Sequence, residues 1–394
     1  MEVAARQAAL DALLQQTRPL WAESPFKTDH PAWCANYPAL AAALLALADG
    51  EVARLTEQRT ALIELCAQYV PALTELAPLL ALPTAPAAPA ALTRNPHLDW
   101  EIPGRKQEQI AAFAAAIGVQ QGRVVDWCAG KGHLGRLIAA QGDAQVTSLE
   151  RDAALCEAGR ALARRVGITN QCFHAVDVLQ ADAAAASELA GAAVLALHAC
   201  GDLHRALCAG AAERQVRALH VAPCCHNRGL SGTYEGRTGM QLRLEPEHLR
   251  LAIQDTVTAP AREIRLRERE LAWKLAFVAW RRSTEAADYR PFKSVPDRWL
   301  KGDFASFMNR LAAREDCPAP AATDIAHWQE TGHARARKVA RLNLARLAFS
   351  RALEIWYVAD QAVRLTCNAY QVRLSEFCPR RLTPRNLLLQ ARRE

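Results

Sequence analysis

The segment VVDWCAGKGHLGRLIAA, residues 124–140, places glycines at 130, 132 and 135 in the spacing G-x-G-x-x-G. A strand that feeds such a turn and then a helix presents backbone N–H groups at a helix N-terminus. Gly130 and Gly132 permit positive φ there and leave no Cβ to block a ligand. These glycines alone suit a dinucleotide and other adenosyl cofactors equally. The nearby acids narrow the choice. Asp126 precedes the turn at the end of a first strand, Glu150 ends a second, and Asp177 ends a third. A carboxylate in the position of Glu150 can accept both ribose hydroxyls, and one at Asp177 can accept the adenine amino proton. Asp126 faces a pyrophosphate unfavourably but suits a cationic amino-acid moiety. S-adenosylmethionine carries an ammonium and a sulfonium and no phosphate. It is therefore the expected cofactor, held by Asp126, Cys128, Gly130, Gly132, Leu134, Glu150, Asp177 and His198. The competing structural reading makes Asp177 and Asp152 helix N-caps and Glu150 a surface acid.

Two further clusters carry reactive side chains: His198, Cys200 and Asp202 after a fourth strand, and Cys224, Cys225 and His226 after a fifth. Ligands of open α/β sheets bind outside the carboxyl ends of the strands, so both clusters are expected to face the methyl group. Methyl transfer from a sulfonium needs a positioned nucleophile and a base to take its proton. His226 or Asp202 can be that base. Alternatively a cysteine thiolate beside His226 can attack a pyrimidine ring and activate its C5 carbon. The expected catalytic set is His198, Asp202, Cys224, Cys225 and His226. A zinc site is weighed and not expected, because adjacent Cys224 and Cys225 would point opposite ways on a strand and no C-x₂-C pair exists. Plain core packing is the alternative for Cys200 and for one of the cysteine pair. On the glycine turn, Lys131 and His133 are candidates to touch substrate, although Lys131 reads equally well as a solvated loop charge.

The elements that must position these groups alternate between strand and helix about every 25 residues from residue 105 onward. That rhythm predicts an α/β fold with a Rossmann-like parallel sheet covered on both faces. Two apolar runs near the end, YQVRLSEF and NLLLQA, predict a terminal antiparallel hairpin. Helical spacing marks residues 1–76 as an N-terminal helical region, and a Pro- and Ala-rich segment at 77–98 reads as a linker. The catalytic domain is expected over 99–394, with a helical insertion at about 245–366 that includes one long helix at 333–366.

Several of these segments resemble class I S-adenosylmethionine-dependent methyltransferases. VVDWCAGKGHLGRL resembles their first motif, and its K-G-H-L variant is similar to that of the methyltransferase-like proteins labelled ribosomal RNA adenine dimethylase domain-containing. LALHACGDL (195–203), APCCH (222–226) and the closing FCPRRLTPRNLLL are similar to later motifs of that branch. The acceptor-stem tRNA 2′-O-methyltransferases share a CCH-type motif. The resemblance covers roughly 105–394 and implies a methyltransferase acting on tRNA or rRNA. The chain departs from the pattern at Cys128, where a glycine is usual, and it lacks the zinc-binding modules of the tRNA family.

Composition is compatible with that reading. Net charge is +7, and residues 331–394 carry thirteen Arg or Lys against four Asp or Glu. Arg337 and Arg341, one helical turn apart, and Arg385 in the closing segment are the expected phosphate contacts of an RNA partner. The bland alternative is a solvated helix face. Twelve scattered cysteines, charges throughout the N-terminus and no long apolar run lead to an expectation of a cytoplasmic protein with reduced thiols and no membrane partner. A methyltransferase for a protein or small molecule stays open as an alternative, and an NAD-binding oxidoreductase as a lesser one.

Overall fold

The computed structural model describes residues 1–86, 96–180, 187–254, 261–285 and 289–393. Among these, strands β1 (Arg123–Trp127), β2 (Gln145–Glu150), β3 (Gln171–Ala175), β4 (Ala193–Cys200) and β5 (Ala218–Cys224) run parallel. A two-stranded antiparallel pair, β6 (Tyr234–Glu235) and β7 (Arg243–Leu244), forms a separate small sheet after β5. The chain returns to the sheet with β8 (Tyr370–Glu376) and β9 (Leu387–Arg393), both antiparallel to their neighbours. The order is β3-β2-β1-β4-β5-β9-β8. This is the Rossmann-like sheet with a terminal hairpin that the alternating rhythm predicts.

The central strands are buried on both faces, and four of the five residues of β1 are buried. That burial explains their near-continuous apolar runs. The order in which strands are added reverses between β1 and β4, so a crevice opens outside their carboxyl ends. The helix Ala153–Arg165 after β2 starts on Asp152, whose side chain accepts the N–H groups of Ala154 and Leu155, and ends on Arg164 and Arg165. Asp152 is thus the N-cap of the competing reading.

Packing divides the chain into two compact units. The first comprises residues 1–16, 78–258 and 350–394 and contains the sheet. Residues 1–76 are helical, but the first helix, Val3–Gln16, belongs with the sheet. Its Gln7 donates to Asp360 at 2.8 Å, and its Asp11 accepts the Trp356 indole N–H at 3.0 Å, both on the helix Ser350–Cys367. The same Asp360 accepts the Tyr234 hydroxyl at 2.6 Å, which anchors β6. These buried polar partners are non-local, so the boundary at 76 does not show it.

The second unit joins residues 17–77 to 259–349. In it the helices Ala261–Glu285 and Ile325–Leu347 cross closely at Gly332, where a Cβ would come within 2.4 Å of the Ala272 carbonyl oxygen. The single helix expected at 333–366 is two helices, broken at the buried Ala348 and Phe349. No Gly or Pro marks that break, so periodicity runs through it. The insertion accordingly stops short of 366, because Ser350–Cys367 packs on β8 and on the first helix. The central part of the expected linker, 87–95, lies outside the described residues. No helix among the described residues is long and apolar enough to cross a membrane.

Candidate active site

A cavity of about 370 Å³ opens at the carboxyl ends of β1 to β4. Its size falls in the range of small-ligand sites. Glu150, Asp177 and Asp202 supply its carboxylates. Leu149, Val176, Val178 and Leu179 supply an apolar wall, and Cys128 and Cys200 line it too. The structure therefore brings together the acids of the second and third strand ends with Asp202 of the fourth. Arg151, Leu203, Arg228 and Gly229 also line it and were not among the expected site residues. Arg151 and Leu203 directly follow Glu150 and Asp202 in sequence. Gly229 carries its own signal: its φ is +72°, and a Cβ there would overlap the Asp202 carboxylate.

Asp126 is not part of this wall. Its side chain is 3% exposed, and its Oδ2 accepts the Gly135 N–H at 2.9 Å. It accepts from the first turn of the helix His133–Gln141 and does not line the cavity. Burial raises its pKa to about 7, against the lowering effect of the Gly135 hydrogen bond. Glu150 keeps its expected place and also ties the turn down, accepting the N–H groups of Gly130 at 2.9 Å and Asp152 at 3.0 Å. Asp177 accepts the Leu179 N–H at 3.1 Å just past the end of β3.

The turn itself has left-handed backbone at Cys128, Gly130 and Gly132, with φ of 59°, 58° and 63°. Several of its amides are already engaged. The Gly130 and Gly135 N–H groups go to carboxylates, and the Gly132 N–H goes to the Ala129 carbonyl. A pyrophosphate needs such amides free. Leu134 is buried in the sheet core and not on the cavity. His133 is buried against Arg136, and desolvation and that guanidinium lower its pKa to about 3, so it does not reach a substrate as expected. Lys131 pairs with Glu101 at 2.8 Å on the surface.

The fourth and fifth strand ends depart furthest from expectation. A bulge between Leu197 and Ala199 puts His198 at φ 62°. Its ring turns to Gln109 at 3.0 Å, outside the cavity wall, and burial lowers its pKa to about 4. Its carbonyl oxygen accepts from the thiols of Cys224 at 3.1 Å and Cys200 at 3.6 Å. His226 is fully buried and cannot touch a substrate where it stands. Its ring lies 4.7 Å from that of Tyr357, with Nε2 3.8 Å from Glu354. Burial lowers its pKa, opposed by Glu354. Cys225 does not continue the strand. Its φ of 45° turns it back, and the sulfurs of Cys200, Cys224 and Cys225 lie within 4.8 Å of one another. The expectation that the adjacent pair diverges fails because it assumed strand geometry through residue 225.

Asp202 stands at the first turn of the helix Asp202–Ala209 and pairs with Arg205. It is the one proposed base that both lines the cavity and remains partly exposed.

The expected phosphate contacts separate. Arg385 is largely buried. It donates to the carbonyls of Ala252 and Ile253 and lies 3.6 Å from Glu354. Arg341 donates to the Leu47 carbonyl at 2.9 Å and to Asp49 at 2.8 Å within the second unit. Both are structural. Arg337 is exposed on the helix Ile325–Leu347 of that unit.

Residues 105–230 match the family model described as a methyltransferase domain. The match spans β1 to β5 and every residue named above in the cavity wall. The match is to that part of the sheet domain, whose strand order is that of a Rossmann-like α/β fold and supports a methyltransferase. No curated protein matches the chain.

Proposed function

We propose that the protein is an S-adenosylmethionine-dependent methyltransferase whose acceptor is RNA. The observation that carries the cofactor reading is the composition of the cavity. Three carboxylates line it while the N–H groups of Gly130, Gly132 and Gly135 are occupied, an arrangement that suits a cationic sulfonium better than a pyrophosphate. On this reading Glu150 would take the ribose hydroxyls and Asp177 the adenine amino group, and Leu149, Val176 and Leu179 supply an apolar wall for the ring. When bound, the cofactor supplies an activated methyl group. The chain's own part is to orient the acceptor beside it and to take a proton, for which Asp202 is the group at hand.

The RNA reading is supported by exposed Arg151 and Arg228 on the cavity and by the net charge of +7. The internal use of Arg341 and Arg385 favours the second reading, a protein or small-molecule acceptor. Incubation of the pure protein with methyl-labelled S-adenosylmethionine and fractionated cell extract separates them. Ribonuclease-sensitive label is expected. Label confined to protein or small molecules overturns the RNA acceptor. Calorimetric binding of NAD with no response to S-adenosylmethionine overturns the cofactor.

A further inference from the structure

We propose that Cys200, Cys224 and Cys225 bind one zinc ion, with the fourth coordination position open toward the cavity. The three sulfurs lie within 4.8 Å of one another, and Cys200 and Cys224 are 3.2 Å apart. Tetrahedral zinc with Zn–S bonds of about 2.3 Å sets its sulfurs about 3.8 Å apart, so closure around an ion needs only small side-chain movements. On binding, the three thiols release their protons to solvent as three Zn–S bonds form.

The backbone is built to produce this convergence. Cys200 and Cys224 are direct partners in the register of β4 and β5. Cys225 joins them only because its φ is 45°, and the neighbouring His198 is held at φ 62°. Left-handed backbone at non-glycine residues costs on the order of 1–3 kcal/mol each and persists where the surroundings enforce it, commonly at functional sites. Packing alone gives no reason for two such residues side by side.

Charge fits as well. Three thiolates and a divalent ion carry a net −1. Arg228 lines the same cavity as Cys200 and supplies a positive charge beside the group. The three side chains of the group offer only sulfur, which selects a thiophilic ion over magnesium or calcium. Cys200 lines the cavity beside Cys128 and Asp202, so the fourth position faces the space where an acceptor would stand. Three protein ligands and one open position is the pattern of reactive zinc sites, where a bound water or thiol is deprotonated at neutral pH. The inference does not depend on the identity of the acceptor.

The full-length protein, purified with reductant and zinc and then desalted, is expected to retain about one zinc per chain by elemental mass spectrometry. Cys200→Ser, Cys224→Ser and Cys225→Ser should each weaken retention at least about tenfold, while Cys172→Ser and Cys208→Ser leave it unchanged. Thiol counting of the native wild type gives a readout that needs no variant: zinc should protect three sulfurs from a thiol reagent, and chelation should release them. Cobalt(II) added to the chelated protein should give a sulfur-to-metal charge-transfer band. A wild type that holds no zinc and gives no cobalt band overturns the proposal. So does an ion that stays on after any one of the three substitutions. A disulfide between Cys200 and Cys224 that survives in reductant likewise replaces it.

Discussion

Asp126 and Gly135 are joined by a carboxylate-to-amide hydrogen bond of 2.9 Å that links the end of β1 to the first turn of the helix His133–Gln141. The acid therefore holds the glycine turn in shape from below, and the acids that line the cavity are Glu150, Asp177 and Asp202. Gly135 is required there: a Cβ would stand 2.9 Å from that carboxylate and 2.8 Å from the Gln171 amide nitrogen.

This bond predicts a pH dependence of stability. Burial raises the Asp126 pKa from 3.8 to about 7. Between those values the folded chain binds a proton that the unfolded chain has lost, so stability falls as pH rises through the window. The Asp126→Asn variant keeps an acceptor for the Gly135 N–H and removes the titration. Denaturant unfolding from about pH 5 to about pH 7.5 should lose roughly 2 kcal/mol more in the wild type than in the variant. Parallel curves would show that Asp126 is ionised throughout.

Cys128 sits at φ 59° where a glycine would carry no strain. The Cys128→Gly variant should gain about 0.5–1 kcal/mol, the relief of left-handed strain less the added entropy of the unfolded chain. Cys128→Val, branched at Cβ, should lose about 1–2 kcal/mol. The Cys128 thiol, pushed up to about 12 chiefly by burial, stays protonated at neutral pH. Alkylation of this residue should accordingly be slow, and mapping of alkylated cysteines by mass spectrometry checks it.

These residues also show what the sequence makes legible. The strand–helix rhythm gives the sheet, the glycine turn gives the crevice, and Glu150, Asp177 and Asp202 reach the cavity because strand ends converge there. Side-chain direction is less accessible. Strand periodicity says that neighbours alternate, but not that the face carrying Asp126 is covered by its own following helix. His226 is buried against Tyr357 and Glu354 of the helix Ser350–Cys367, supplied from far along the chain. Cys225 escapes the alternation rule through one left-handed residue. Arg341 and Arg385 spend their donors on carbonyls of distant loops, which a count of charges does not reveal. The closing T-P-R-N segment is structural in the same way. Asn386 accepts from Arg351 at 2.8 Å and donates to the Cys378 carbonyl at 2.8 Å.

Substitution of the arginines should therefore divide by role. Arg385→Ala removes donors from two carbonyls and a partner from the buried Glu354, and should cost about 2–3 kcal/mol of stability with the salt dependence of RNA retention unchanged. Arg151→Glu with Arg228→Glu should leave the melting temperature within a few degrees and weaken RNA retention. The slope of log affinity against log salt should fall by about 1 for each lost phosphate contact. Equal salt slopes in the wild type and the double variant would remove these two residues from any RNA surface.

Gly130 and Gly132 separate folding from cofactor binding. Both have left-handed backbone, at φ 58° and 63°. A Cβ on Gly132 would stand 2.6 Å from the Phe173 ring and from the Gln171 amide nitrogen, whereas nothing lies within 4 Å of a Cβ on Gly130. Gly132→Ala combines backbone strain with a clash in the packed layer between the turn and β3, and should cost about 3 kcal/mol or more. Gly130→Ala pays the backbone strain alone, about 1–2 kcal/mol, and leaves a folded protein at room temperature. Its added methyl stands on the turn that Glu150 holds at the cavity, so affinity for S-adenosylmethionine should drop at least about tenfold, roughly 1.4 kcal/mol or more. Thermal melts with and without S-adenosylmethionine read both effects. The wild type should gain stability with ligand, and Gly130→Ala should melt slightly lower and gain little. A Gly130→Ala protein that is stabilised by the ligand as strongly as the wild type would place the adenosyl group elsewhere than against this turn.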